Sequence, residues 1–281
     1  MENRAEAPRT WQTISSLADS VQMGRPRARL ALWLRHYWRL WAAALLIAVA
    51  LLLGNCASPA PQTLAFGAAV WQDGEQAVYT ISTANESFAG TATFDVLRGT
   101  QSGEEGWTFR RDLSALGDQE IVVAEMSEAG YRPISSTLVR ISREGSEQIT
   151  ARYEGSQVNM NLVTRQNVAT SQTDSIPSDA REQRTLPLIV RTLPLADGYA
   201  TQLNTYLPVT GRLDRVSVSV RERVDLTVAA GTFDAWEVRL RTEDSTSTLW
   251  IGVQPPHPLL KFEDARANAT YELQTFRPAA P

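Results

Sequence analysis

VSVSVRERVDLTV, residues 216–228, is the stretch that decides the fold. Val216, Val218, Val220, Val224, Leu226 and Val228 share one parity, while Ser217, Ser219, Arg221, Arg223, Asp225 and Thr227 take the other. Side chains alternate between faces along a strand, so this pattern predicts an antiparallel strand with one buried face rather than a helix. Glu222 is the exception, because it falls in phase with the valines and regular alternation aims its carboxylate at the buried face. Unpaired burial of a charge is costly, so Glu222 reads either as a polar anchor in an apolar cavity or as the mark of a bulge or sheet rim.

Downstream, Ala229-Ala230-Gly231-Thr232 turns the chain, and the return strand carries Trp236, Val238 and Leu240 against Glu237, Arg239 and Arg241. Strands are expected at Thr248–Val253, Leu259–Asp264 and Asn268–Phe276. Upstream, the same rhythm predicts Ala77–Thr83, Thr91–Leu97, Trp107–Leu113, Gln119–Met126, Ile134–Ile141, Gln148–Tyr153 and Gln157–Val163, with a hairpin turn at Tyr153–Gln157. The polar stretch Arg165–Arg184 separates the halves. Asp179 and Glu182 have capping-box spacing there, and Leu188–Leu193 is apolar until Pro194, which predicts one short helix. The expected fold class is mainly β: a strongly curved antiparallel sheet or open half-barrel of about a dozen strands with one short helix, preceded by an N-terminal membrane segment.

That N-terminal segment is the apolar run Leu40–Gly54 (LWAAALLIAVALLLG), with seven arginines before it and Cys56, the only cysteine, just after it. Positive charge stays on the cytoplasmic side, so residues 1–39 are expected inside and everything after residue 56 outside. Trp33, Tyr37, Trp38 and Trp41 suit the headgroup layer at its entrance. Three readings of residues 40–56 are open. LLGNC resembles a bacterial lipobox, with Leu53 and Gly54 fitting, Asn55 departing and Cys56 the residue that would be acylated. The run also reads as an uncleaved single-pass anchor extended upstream from Leu30, or as a cleaved export signal. Met23 would give a more typical start to such a segment. Residues 57–63 read as a flexible tether and 64–281 as the exported β domain.

Composition excludes several chemistries. Setting aside the seven arginines and three acids of the N-terminal segment, residues 57–281 hold 20 basic and 28 acidic residues, a net charge near −8. An acidic surface argues against nucleic-acid binding, which needs a basic footprint. With Cys56 at the membrane, this part of the chain has no thiol chemistry, and His257 is its only histidine, which rules out an HExxH zinc site. No GxSxG elbow is present. No catalytic residue, metal site or cofactor is therefore expected.

The order VSVSVRERVDLTV, AAGTFDAWEV, STLWIGV, PPHPLLKFED and a closing YEL at Tyr271–Leu273, preceded by LPLADGYATQLNTYLP, resembles an uncharacterised family of bacterial envelope domains, the 3108-type domain of unknown function. The likeness covers mainly residues 186–276. It implies an exported or lipid-anchored protein whose fold is similar to the half-barrel of the lipoprotein carriers, where a curved sheet cups a helix over an apolar cavity.

The candidate ligand-binding set is Glu222, Trp236, Trp250 and Lys261, with Lys261 or Arg239 as the cation for Glu222. Phe233 and Tyr271 complete an aromatic group that is core packing or cavity lining. The expected function is non-enzymatic: a membrane-tethered envelope protein, anchored through its N-terminal segment, that binds a hydrophobic ligand in the concave sheet. The alternatives are a structural or interaction scaffold in contact with an envelope protein and, third, a carboxylate-based hydrolase.

Overall fold

The computed structural model describes residues 61–278, except residue 102 and the side chain of residue 101. The Arg-rich segment, the apolar run, Cys56 and the first part of the tether lie outside the described residues. The chain divides into two compact units, Met1–Ser58 and Pro59–Pro281. The second has its own core and its own backbone ladders, which are what a domain needs to fold by itself.

That unit contains fifteen strands among its described residues: β1 (Glu75–Thr83), β2 (Gly90–Gln101), β3 (Glu104–Ala115), β4 (Asp118–Ser127), β5 (Pro133–Ser142), β6 (Gly145–Glu154), β7 (Gln157–Val163), β8 (Ala169–Ser175), β9 (Arg181–Glu182), β10 (Ala200–Leu207), β11 (Arg212–Val228), β12 (Gly231–Arg241), β13 (Thr246–Gly252), β14 (Leu259–Asp264) and β15 (Ala269–Arg277). All belong to one sheet, in the order β8-β7-β6-β5-β4-β3-β2-β1-β15-β14-β13-β12-β11-β10-β9. Two meanders are thus joined where β1 pairs with β15. Only the two-residue β9 runs parallel to its neighbour, with Arg181 and Glu182 opposite Thr205 and Tyr206.

The connectivity forces the sheet to curl. A flat sheet of fifteen strands would hold its outer strands about 65 Å apart, at about 4.8 Å per strand. The chain between Ser175 at the end of β8 and Arg181 at the start of β9 can span only about 21 Å. The two edges therefore come close, but the sheet stays open: among the described residues no ladder joins β8 to β9 or β10. Side chains bridge the seam instead. The Tyr206 hydroxyl donates to Asp174 Oδ2 at 2.5 Å and lies 3.1 Å from Met160 Sδ.

A helical segment fills the concave side. It runs as a 3-10 turn (Gln183–Thr185), α1 (Leu186–Ile189) and a second 3-10 turn (Val190–Thr192). Leu186, Leu188, Ile189, Val190 and Leu193 are all buried, as a helix apolar on every side must be. Glu182 caps it, its carboxylate accepting from the Arg184 N–H at 2.8 Å. The expected capping-box partner Asp179 instead accepts from Asn204 Nδ2 at 3.1 and 3.2 Å.

The chain ahead of β1 packs across the interior as well. Gln62 N–H donates to Ala200 O at 2.6 Å and Gly67 N–H to Thr192 O at 2.8 Å. Phe66 meets Tyr131 edge-on at 5.7 Å, and Trp71 meets Trp107 at 5.9 Å. No helix among the described residues is long and apolar enough to cross a membrane.

Three strands depart from the sequence expectation, the two-residue β9 among them. β8 (ATSQTDS) and β10 (ATQLNTYL) lie in stretches that showed no clean alternation. β8 is exposed along nearly its whole length at the sheet edge, so it has no buried face to impose period two.

Candidate functional site

The concave face can be read from strand register. Phe94, Arg111, Val122, Leu138 and Ile149 form one row across β2 to β6. The adjacent row is Ala92, Leu113, Glu120, Arg140 and Glu147. Opposite stand Val216, Leu240, Phe262 and Tyr271 from β11, β12, β14 and β15. Between these walls lies a cavity of about 410 Å³, roofed by Gln183, Arg184, Leu186 and Pro187 of the helical segment and rimmed by the β10–β11 and β14–β15 turns.

Charged groups enter this largely apolar space at two places. On one wall Arg111 Nη2 donates to Glu120 Oε1, Arg140 Nε to Glu120 Oε2 at 2.8 Å, and Arg140 Nη1 to Glu147 Oε1 at 3.1 Å. Burial works against ionising Glu120, but the Arg111 and Arg140 guanidiniums outweigh it and hold the carboxyl below its ordinary value of 4.5. At the rim, Arg266 Nη2 donates to Asp214 Oδ2 at 2.6 Å and Nη1 to Gln183 Oε1 at 3.2 Å. Arg212 joins Asp214 and Asp244, each at 2.6 Å. Hydrogen bonds from Arg212 and Thr242 keep the Asp244 carboxyl well below the usual carboxylate range. This network ties the β14–β15 and β12–β13 turns to β11 and to the entry of the helical segment.

Two buried clamps hold the roof. Arg184 Nε donates to Glu182 Oε1 at 2.6 Å and Nη2 to Ser136 Oγ on β5 at 3.0 Å. At the far end Arg191 grips Glu75 of β1 with both terminal nitrogens, at 2.6 and 3.2 Å. It also donates to the carbonyls of His257 and Pro256 at 2.8 and 2.9 Å. A second cavity, of about 370 Å³, lies between the ends of β5 to β7 and the β8–β9 connection, lined by Arg132, Arg152, Tyr153 and Ile176.

Glu222, Trp236, Trp250 and Lys261 do not line the 410 Å³ cavity. Of the two readings of Glu222, the bulge is the one the register has: it shifts between Val220 and Glu222, which puts Glu222 opposite Glu237 and leaves it exposed rather than anchored in a cavity. One extra residue flips every later side chain to the other face. The expected cations go elsewhere, Lys261 to Glu263 at 2.7 Å and Arg239 to Glu237 at 3.4 Å. Trp250 alternates with the fully buried Leu249 and Ile251, and the Lys261 ammonium sits 4.6 Å over its ring. Trp236 is half-buried under the Arg223 guanidinium at 5.8 Å. Tyr271 does line the cavity, and burial pushes its phenol above the ordinary value.

Arg111, Glu120, Arg140 and Arg184 were not singled out from the sequence, although a signal for two of them was there. Arg111 falls in phase with Trp107, Phe109 and Leu113, and Glu120 with Val122, Ala124 and Met126. A charge in phase with apolar neighbours is the pattern that drew attention to Glu222. Here no bulge intervenes within either β3–β4 or the following pairs at these positions, so the charges do face inward.

His257 lies outside the lining of the 410 Å³ cavity, with Nδ1 3.0 Å from Gly252 O. Among the described residues no cluster of His, Cys, Asp and Glu could hold a metal ion.

A family model described as "Protein of unknown function (DUF3108)" matches residues 78–273. No curated protein matches the chain. Among solved structures it is similar to a beta-barrel-like protein of the domain of unknown function DUF1849 from Brucella abortus, at 10% identity and a TM-score of 0.49, covering 77% of this chain and 100% of that one. It is also similar to a protein from Bacteroides fragilis provisionally described as exported, with a YmcC-like fold (13% identity, TM-score 0.27, 76% of this chain and 100% of that one). A third is a provisionally described lipoprotein from Parabacteroides distasonis (11% identity, TM-score 0.27, 77% and 100%).

Proposed function

The chain belongs to the DUF3108 family, whose function is unknown, and from its geometry we propose that it is a non-enzymatic envelope protein that encloses an apolar ligand in the concave sheet. The observation that carries this reading is the 410 Å³ cavity, which falls within the range of small-molecule sites and is walled by Leu138, Leu186, Val216, Leu240 and Phe262. At about 30 Å³ per small heavy-atom group, it accepts roughly a dozen heavy atoms, which is one medium acyl chain and not a whole phospholipid. Each methylene removed from water contributes about 0.8 kcal/mol, so ten give about 8 kcal/mol before the cost of association. The expected affinity is therefore micromolar or weaker.

The protein works next to a membrane, tethered by the apolar run and Cys56, with the β domain on the extracytoplasmic side. This part of the reading rests on the arginine-flanked run alone. Membrane fractionation of a Cys56→Ser variant separates the anchors: release means acylation at Cys56, and retention means a span.

Lipid extraction and mass spectrometry of the purified Pro59–Pro281 domain, followed by titration with medium-chain probes, test the ligand reading. Absence of any co-purified lipid together with no binding at millimolar probe would refute it. The free backbone edge of β8, beside the exposed Val163 and Val168, favours a second reading as an interaction module. That reading predicts empty extracts and loss of a protein partner when β8 is blocked by proline.

A further inference from the structure

We propose that the occupant of the 410 Å³ cavity is an amphiphile, an acyl chain ending in an anionic oxygen group, and that Arg111 and Arg184 are the residues that hold its head. The inference rests on the reading of the cavity as an apolar-ligand site and names the chemistry of the ligand.

Two donors in the wall of this cavity lack acceptors. Arg184 is fixed through Nε and Nη2, but its buried Nη1 has no hydrogen-bond partner among the described residues. The Arg184 side chain is only 7% exposed, so water does not serve it freely. Arg111 is fixed through Nη2, and its buried Nε is likewise unpartnered; that side chain is 12% exposed. Buried donors are seldom left unmade, because each keeps the full cost of its lost hydration. Both residues line the one cavity, so an acceptor bound there lies beside the two guanidiniums that have a donor to spare.

The register places them to share it. Ser136, which holds Arg184, is one row from Leu138 on β5, and Leu138 lies in the row of Arg111, two strands away. The separation between the Ser136 and Arg111 backbones is about 12 Å from these spacings, which two arginine side chains readily bridge above Val122 and Leu138. Both free nitrogens are buried, so the proposed contact requires each guanidinium to turn about its existing carboxylate bond to present them to the cavity. An ionised oxygen group matches a guanidinium with charge-assisted bonds roughly twice as strong as those to a neutral acceptor. The rest of the lining near them, Leu113, Leu186 and Phe262, suits a hydrocarbon tail.

The test is calorimetric titration of the Pro59–Pro281 domain with decanoate, decyl phosphate, decanol and decyltrimethylammonium, all below micelle formation. Decanoate or decyl phosphate is expected to bind roughly ten- to a hundredfold tighter than decanol, the worth of a hydrogen bond to a charged group, and the cation weakest. The better of the two anions tells a carboxylate from a phosphate head. In Arg111→Gln, where Arg140 still neutralises Glu120, the anion-to-alcohol ratio is expected to collapse towards one. Equal binding of decanoate and decanol by the wild type overturns the head-group assignment and leaves the apolar cavity standing. Discrimination that survives Arg111→Gln unchanged overturns the role of Arg111. Failure of all four probes overturns the proposed function itself and this inference with it. The wild-type comparison needs no variant, so misfolding of Arg111→Gln leaves the decision intact.

Discussion

Glu75 and Arg191 fix how deep the helical segment sits, and removing either charge alone is expected to cost far more than removing both. Glu75 is 3% exposed and Arg191 5% exposed, so neither charge has water to fall back on. In Glu75→Leu, the guanidinium keeps its two backbone carbonyls, His257 O and Pro256 O, but loses its counter-charge. Breaking a buried pair in this way costs about 3–5 kcal/mol. A domain of this kind has about 5–15 kcal/mol in total, so the single variant loses about a fifth of its stability or more. Arg191→Met strands the Glu75 carboxylate and leaves both carbonyls without donors, a loss of similar size.

The double variant Glu75→Leu/Arg191→Met removes the stranded charge. Its remaining cost is the two unpaired carbonyls, about 1 kcal/mol each. The double-mutant cycle should therefore show a coupling of about 3 kcal/mol or more. Urea unfolding followed by tryptophan fluorescence reads it directly, since the Trp71 ring lies 5.8 Å from the Arg191 guanidinium. Single effects that sum to the double within about 0.5 kcal/mol would show no net interaction and refute the reasoning. Because the same segment roofs the cavity, decanoate binding is expected to fall more in either single variant than in the double.

Three further outcomes are expected. The folded-state pKa of Glu120 lies below 4.5, so its stabilisation is complete above that ordinary value and is lost as pH falls through the depressed one. Thermal midpoints of wild type and Glu120→Gln should thus differ at neutral pH and converge on acidification below 4.5, and a constant gap would contradict this. Tyr206→Phe removes the hydroxyl that bridges the seam to Asp174, with an expected loss of about 1.5–3 kcal/mol. Hydrogen exchange should speed up in β8 and not in β1 to β3; uniform acceleration would mean the seam is not a separate opening unit. Glu222→Ala, at an exposed position beyond the bulge, should shift the urea midpoint by no more than about 0.5 kcal/mol equivalent, whereas a large loss would restore the buried reading of that residue.

The strands were legible because burial on one face imposes period two, and Gln157–Val163 and Leu259–Asp264 lie where that pattern puts them. The hairpin turn after Val228 was legible for a local reason too, since Gly231 takes φ of 135° there. β8 was not legible, because an edge strand wet on both faces carries no apolar phase. Glu222 stayed ambiguous for a different reason. Its phase was real up to Val220, but a bulge is a backbone event that parity alone does not reveal, and β11 changes face inside an unbroken run of alternation. Arg184 lay beyond reach for a third reason. Arg111 carries an in-phase signal, but Arg184 belongs to a helical segment whose place inside the sheet depends on the curl and on pairing with residues such as Ser136.

The division of the core bears on whether the cavity is incidental. Val122, Leu138 and Ile149 form a cluster apart from the main core, which holds Leu186, Val216, Leu240 and Phe262. All the apolar residues needed to join the two are present in adjacent rows. What keeps them apart is the cavity and the row of Glu120, Arg140 and Glu147 beside it. The space opens to solvent at its rim, so water fills it when nothing else does and the cost of a sealed dry void does not arise. A domain selected only to be a rigid scaffold would close that space by larger side chains, which are the commonest stabilising change available. Retaining it, with charged side chains anchored by carboxylates along one wall, is what the proposed ligand role requires and a rigid scaffold does not.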